Sequence, residues 1–163
     1  LGGFRIENVE NITFKQMTVT NTSSGGQGIS MENAKVELFD VALKGCDNIA
    51  LNVSRSASAT TLVATRCEFA SSSSGAWLLS ILTSATFKNC VFNDNELDGI
   101  YGGGATIHLH GDATAIHSND RFGIVAVSAK ILIHLPSYHN TSYNNGDDDR
   151  KTYGGGTVTN VEE

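Results

Sequence analysis

Histidine is the residue type best placed to do chemistry, and it is concentrated late in the chain, at His108, His110, His117, His134 and His139. Side chains alternate along a strand with a period of two, so His108 and His110 project from one face. Ile131-Leu132-Ile133 keeps register with Ile107-His108-Leu109, which sets His134 beside His110. Lys88 falls at the same place one period earlier, giving an outward column of Lys15, Phe39, Thr65, Lys88, His110 and His134. On a parallel sheet Lys88, His110 and His134 would lie within ~10 Å of one another. His108 points the same way, above Thr86. Such a strip is cationic and suits a uronate or sulfated sugar, and an imidazole can also act as acid or base near neutrality. The plainer reading, ordinary solvated side chains on a sheet face, has the greater weight. A metal reading of His108, His110 and His134 fits strand geometry but lacks a carboxylate or cysteine partner. No metal and no cofactor is therefore expected.

Other candidates come with a plain alternative beside them. Trp77 and Tyr101 fall one period apart and, facing outward, would make a flat platform for a sugar ring. The opposite register instead buries Trp77, Leu79 and Ile81. Cys67 and Cys90 share an inward column whose spacing would just permit a disulfide, or they are two buried thiols acting as small hydrophobes. Cys46 sits in a turn with no assigned partner. Asp147-Asp148-Asp149 offers oxygen ligands for Ca²⁺ but lacks spaced ligands and a following Gly, so a solvated acidic loop is expected. Asn21, Asn93 and Asn119 sit at turns, where their amides bond turn backbone.

The elements that must position these residues form a repeat. Phe14-Lys15-Gln16-Met17-Thr18-Val19-Thr20, Leu38 to Lys44, Ala64 to Ala70 and Phe87-Lys88-Asn89-Cys90-Val91-Phe92-Asn93 match one pattern at almost every place: apolar, polar, polar, apolar, polar, apolar, polar. A second signature, Gly or Asn before apolar-x-apolar, recurs at Gly3, Gly28, Asn48, Gly75, Gly99 and Gly123. Its steps are 25, 20, 27, 24 and 24 residues. Alternation over three to five residues between Asn, Ser, Gly and Asp means short half-buried strands rather than helices. One period is one coil of a parallel β-solenoid, in which neighbouring coils cover each other's apolar faces. Inward columns follow: Phe14, Leu38, Ala64, Phe87, Leu109, Ile133; then Met17, Val41, Cys67, Cys90; then Ile29, Ile49, Ala76, Ile100, Ile124.

The unit ending in Phe87 to Asn93 and the Gly-Ile turns at Gly99 and Gly123 resemble those of the right-handed parallel β-helix proteins, the pectin-lyase-like superfamily. The resemblance covers about Leu1 to Leu135 and implies the handedness, which periodicity does not give. It implies no chemistry, because that superfamily includes lyases, hydrolases, epimerases, phage spikes and inert scaffolds. The Asn-Thr-Asp, Gly-His-Gly and Arg-Ile-Lys motifs of polygalacturonases are absent from the sequence. So are the Asp-Pro-His of alginate epimerases and the Arg-near-Pro and Ca²⁺-binding Asp set of pectate lyases. No catalytic residue is carried over.

The expectation is an all-β right-handed parallel β-helix of about 5–6 coils with 20–27 residues each, forming a single domain over 1–163. Coils occupy 1–135. Residues 136–163 are an irregular tail that ends in a short strand, Thr157 to Val161, and caps the C-terminal end. The chain opens mid-coil without a cap, which suggests a piece of a longer β-helix or an end that self-associates. Three function classes fit. The first is a carbohydrate-interacting module, with Lys88, His108, His110, His134, Trp77 and Tyr101 as substrate-binding residues. The second is a non-catalytic scaffold. The third is a polysaccharide lyase, hydrolase or epimerase using His110. The net charge of −6 argues against nucleic acid, which needs a basic stripe. No apolar run approaches the ~20 residues of a membrane span. Sequons at Asn11, Asn21, Asn52 and Asn140 occur at about chance frequency. The compartment is left open, with a lean to extracellular.

Overall fold

The computed structural model describes residues 3–134 and 141–162. Among them there is no helix; parallel strands stack into a β-solenoid of about six turns. One sheet stacks, in order, β1 (Phe4–Glu7), β3 (Ile29–Glu32), β5 (Ile49–Val53), β8 (Ser74–Leu79), β11 (Ile100–Gly103), β14 (Phe122–Val127) and β17 (Asp148–Tyr153). The other sheet has two limbs. Its first limb stacks β2 (Ile12–Val19), β4 (Lys35–Lys44), β6 (Thr60–Thr65), β9 (Thr83–Lys88), β12 (Thr106–His110), β15 (Lys130–His134) and β18 (Thr157–Val161). Its second limb begins on the far half of β4 and adds β7 (Glu68–Ala70), β10 (Val91–Asn93), β13 (Ala115–His117) and β16 (Ser142–Tyr143). Each coil thus has three short sides.

Three columns of left-handed residues turn the chain between those sides. The first is Asn8, Asn33, Ser80, Gly104, Ser128 and Gly154; the second is Gln16, Asp40, Arg66, Asn89 and Gly111; the third is Gly45, Ser71, Asp94, Ser118 and Asn144. One residue of positive φ in an extended chain swings the strand direction sharply. That conformation costs an L-residue about 1–2 kcal/mol, least for Gly, Asn and Asp. The polar residues that punctuate the repeat are therefore its corners. Where the corner must be Arg66, its guanidinium bonds Asp40, the corner of the coil before, at 2.7 and 2.8 Å.

Pairing confirms the first inward column throughout, from Phe14 over Leu38 to Ala64, Phe87, Leu109 and Ile133. Small Ala64 leaves room for its large neighbours. Phe69 and Phe92 stack at 4.6 Å, and Phe87 meets them edge-on at 5.6 and 5.0 Å. All three rings are fully buried. Each contributes ~1.5–3 kcal/mol relative to exposure.

One register differs from the expectation. Ile29 pairs with Leu51, not Ile49, and Leu51 with Ala76. Ala50, not Asn48, takes the glycine place: a Cβ added to Gly28 would fall 2.5 Å from the Ala50 carbonyl oxygen. A two-residue shift keeps the same face inward, so alternation alone does not distinguish the two. The polar segment expected to be irregular also carries strands. β16, β17 and β18 pair in register with β13, β14 and β15. Strand pairing at the end of a stack needs backbone groups more than apolar side chains, so a polar sequence suffices. The expected strand Thr157 to Val161 is β18.

A polar column runs inside the apolar one, each member following a corner of the third column. Asn95 Nδ2 donates to Asn119 Oδ1 at 2.8 Å, and Asn119 Nδ2 to Asn145 Oδ1 at 2.8 Å. The same amides donate to the carbonyls of Phe69 and Phe92. Ser72 continues the column, its N–H donating to Asn95 Oδ1. Asn95 and Asn119 are each 1% exposed, and their ladder satisfies buried turn backbone coil by coil.

Candidate functional site

The histidines are held by the strands beneath them. In β12, Ile107 and Leu109 are fully buried while Thr106, His108 and His110 alternate outward and are half-buried. A slip of one residue would drive both imidazoles into the core, so the register is strongly fixed. In β15 the buried pair is Ile131 and Ile133, and His134 projects outward at the strand's end. β12 pairs with β15 and with β9, where His110 lies opposite the exposed Lys88 and His108 opposite Thr86. The Thr114 hydroxyl donates to the His110 carbonyl, and the left-handed Gly111 ends the strand there.

The three imidazoles form a compact group. His108 Nδ1 and His134 Nε2 stand 2.8 Å apart. Ring centroids are separated by 3.9 Å for His110 and His134, 5.1 Å for His108 and His134, and 6.1 Å for His108 and His110, with the planes nearly parallel. Burial holds His108 below the usual histidine range, and His134 and Lys130 push it the same way. Both effects favour the uncharged form of His108 at neutral pH. His117 lies apart, on β13, stacked on Tyr143 at 5.1 Å. His139 lies outside the described residues.

Trp77 and Tyr101 sit on the other sheet. They pair across β8 and β11 with ring centroids 5.0 Å apart and planes tilted by 33°. Both are half-buried and outward, while Ala76, Leu78 and Ile100 fill the core beneath. Ile81, which the opposite register would have buried, is 83% exposed. Trp77 Nε1 is covered without an acceptor among the described residues, so stacking rather than a hydrogen bond holds the indole. Tyr101 opens onto a groove of about 490 Å³ at the corner between β11 and β12, lined also by Arg55, Ser56, Ile81, Gly104 and Ser128. Only Gly104 and Ala105 separate β11 from β12. The aromatic pair and the Lys88–histidine strip thus occupy two faces that meet at one corner, rather than a single face. Arg55 was not among the sequence candidates, because the loop after β5 falls outside the repeat pattern.

The remaining candidates have structural partners. Cys67 and Cys90 are free thiols, with the Cys67 N–H facing Cys90 Sγ at 3.5 Å. Their contact lowers the Cys67 thiol and, with burial, raises Cys90. Cys46 is buried, and its N–H donates to the Ser72 hydroxyl. Asp147 faces Arg121, Asp148 pairs with Lys151, and Asp149 accepts from Asn145.

Comparison with family models, curated proteins and solved structures finds no match to this chain. The parallel β-solenoid is therefore established by its own strand pairing, and no family match supports membership of the pectin-lyase-like superfamily.

Proposed function

We propose that this β-solenoid is a carbohydrate-interacting module that contacts an acidic polysaccharide across the corner between its two sheets. The observation that carries this reading is the outward Trp77–Tyr101 pair beside a groove containing Arg55. Aromatic faces stack on the apolar faces of sugar rings, and a guanidinium bonds a carboxylate or sulfate in bidentate fashion. Lys88 and Lys130 extend the positive charge around the corner, on a chain whose net charge is −6. An extended anionic polymer can follow that path, whereas a neutral one gains only the aromatic contact.

A glycan array spanning uronate, sulfated and neutral polymers tests the reading. Wild type should bind the anionic set. Trp77→Ala/Tyr101→Ala should weaken binding to all of its ligands, and Arg55→Ala/Lys88→Ala should weaken the anionic ones selectively and increasingly at low salt. No binding by folded wild type to any polymer would leave the scaffold reading in its place.

A further inference from the structure

The expectation of no metal rested on the lack of a carboxylate or cysteine near the histidines. The convergence of three imidazoles removes that objection, since three nitrogen donors and one open position suffice for zinc. We propose that His108, His110 and His134 form a tripod for a borderline divalent transition ion of the zinc class, with the fourth position open to solvent.

One ring nitrogen from each residue lies within 4.8 Å of the other two. A tetrahedral ion with nitrogens at ~2.0–2.1 Å sets them ~3.3 Å apart. The three Cα positions are fixed by adjacent strands of one sheet, so rotation about side-chain bonds is all the adjustment required. His108 Nδ1 and His134 Nε2, at 2.8 Å, share the position of one proton. An ion takes that proton's place, and the two nitrogens part by about half an ångström. An imidazole binds a metal through a ring-nitrogen lone pair, one from each residue. An all-nitrogen set prefers Zn²⁺, Ni²⁺ or Cu²⁺ over Mg²⁺ and Ca²⁺, which want oxygen. The face is outward, so ion and water reach it without opening the core. Lys88, opposite His110, favours an anion in the fourth position.

The test uses the whole chain, stripped with chelator and free of any histidine tag, and needs no glycan. Calorimetric titration with ZnCl₂ should give one ion per chain. Cobalt(II) should develop the visible bands of a four-coordinate ion. His108→Ala, His110→Ala and His134→Ala should each weaken zinc binding by about tenfold or more, while His117→Ala should leave it unchanged. Circular dichroism of each variant checks that the solenoid is intact. Zinc binding no tighter in wild type than in the triple alanine variant would overturn the proposal. So would a cobalt spectrum in wild type that stays that of the aqueous ion.

Discussion

Asn119→Ala should be among the most destabilising single changes outside the apolar core. Asn119 donates to Asn145 Oδ1 at 2.8 Å and to the carbonyls of Phe92 and His117 at 3.2 Å. It accepts from Asn95 Nδ2 at 2.8 Å and from the Asn95 N–H at 3.3 Å. Each well-formed bond contributes ~0.5–1.5 kcal/mol net, and a buried group left unpaired costs ~1–3 kcal/mol. The alanine variant loses two short bonds and three longer ones, and it leaves the Asn95 backbone N–H and one Asn95 side-chain amide proton without their acceptor. The expected loss is ~4 kcal/mol. Asn145 is half-buried at the end of the ladder, and Asn145→Ala should lose only ~2 kcal/mol. Urea denaturation followed by Trp77 fluorescence measures both, and an Asn95→Ala/Asn119→Ala cycle should show coupling of ~1–3 kcal/mol. A loss under ~1 kcal/mol for Asn119→Ala, or equal losses for Asn119→Ala and Asn145→Ala, would refute the claim that the ladder is a cooperative buried network.

Two further predictions concern a corner and a buried acid. Gly111 has φ +88°, and a Cβ there would fall 2.0 Å from Asn89 Oδ1, whereas Gly45, at φ +65°, meets nothing nearer than 3.5 Å. Gly45→Ala should therefore cost ~1 kcal/mol from conformation alone and Gly111→Ala ~2–3 kcal/mol, both read from thermal denaturation. Asp98 is 4% exposed, and burial raises its pKa, only partly offset by the Phe122 N–H and Arg121. A folded-state pKa above the unfolded one means that stability falls as pH rises through it. Asp98→Asn keeps an acceptor for the Phe122 N–H and should be more stable than wild type at neutral pH. The gap should close as pH drops below the usual carboxylate range; a gap that widens there would show the sign to be wrong.

The columns of Phe14 and Met17 were legible because one-residue errors move every apolar side chain to the wrong face. The slip at Ile49 was not, because Ile49 and Leu51 are both apolar and two apart, and only the length of the preceding turn separates the alternatives. The asparagine ladder was half legible. Asn119 reads as a turn residue, but nothing in its type says that the amide points inward onto Asn95 and Asn145. At the site, the outward column of Lys88, His110 and His134 follows from period alone. That the three imidazoles meet depends on rotamers, which sequence does not carry. Trp77 and Tyr101 read as a pair, but their separation from the histidines by a corner depended on Gly104 being left-handed. Corners are hard to read because Gln16 and Arg66 occupy them as well as Asn and Gly.

The stacking of coil on coil also sets how the molecule would yield to tension. Ile100 lies directly over Ile124, so the hydrogen bonds between neighbouring coils point along the long axis and one coil takes ~24 residues. A pull at the two ends loads those bonds lengthwise and opens them in sequence, as a zipper does. Each coil that comes away would release ~80 Å of slack chain at ~3.3–3.6 Å per residue. The Asn95–Asn119–Asn145 ladder ties three of the later coils together, so the first teeth to part should lie at the ends of the ladder rather than within it.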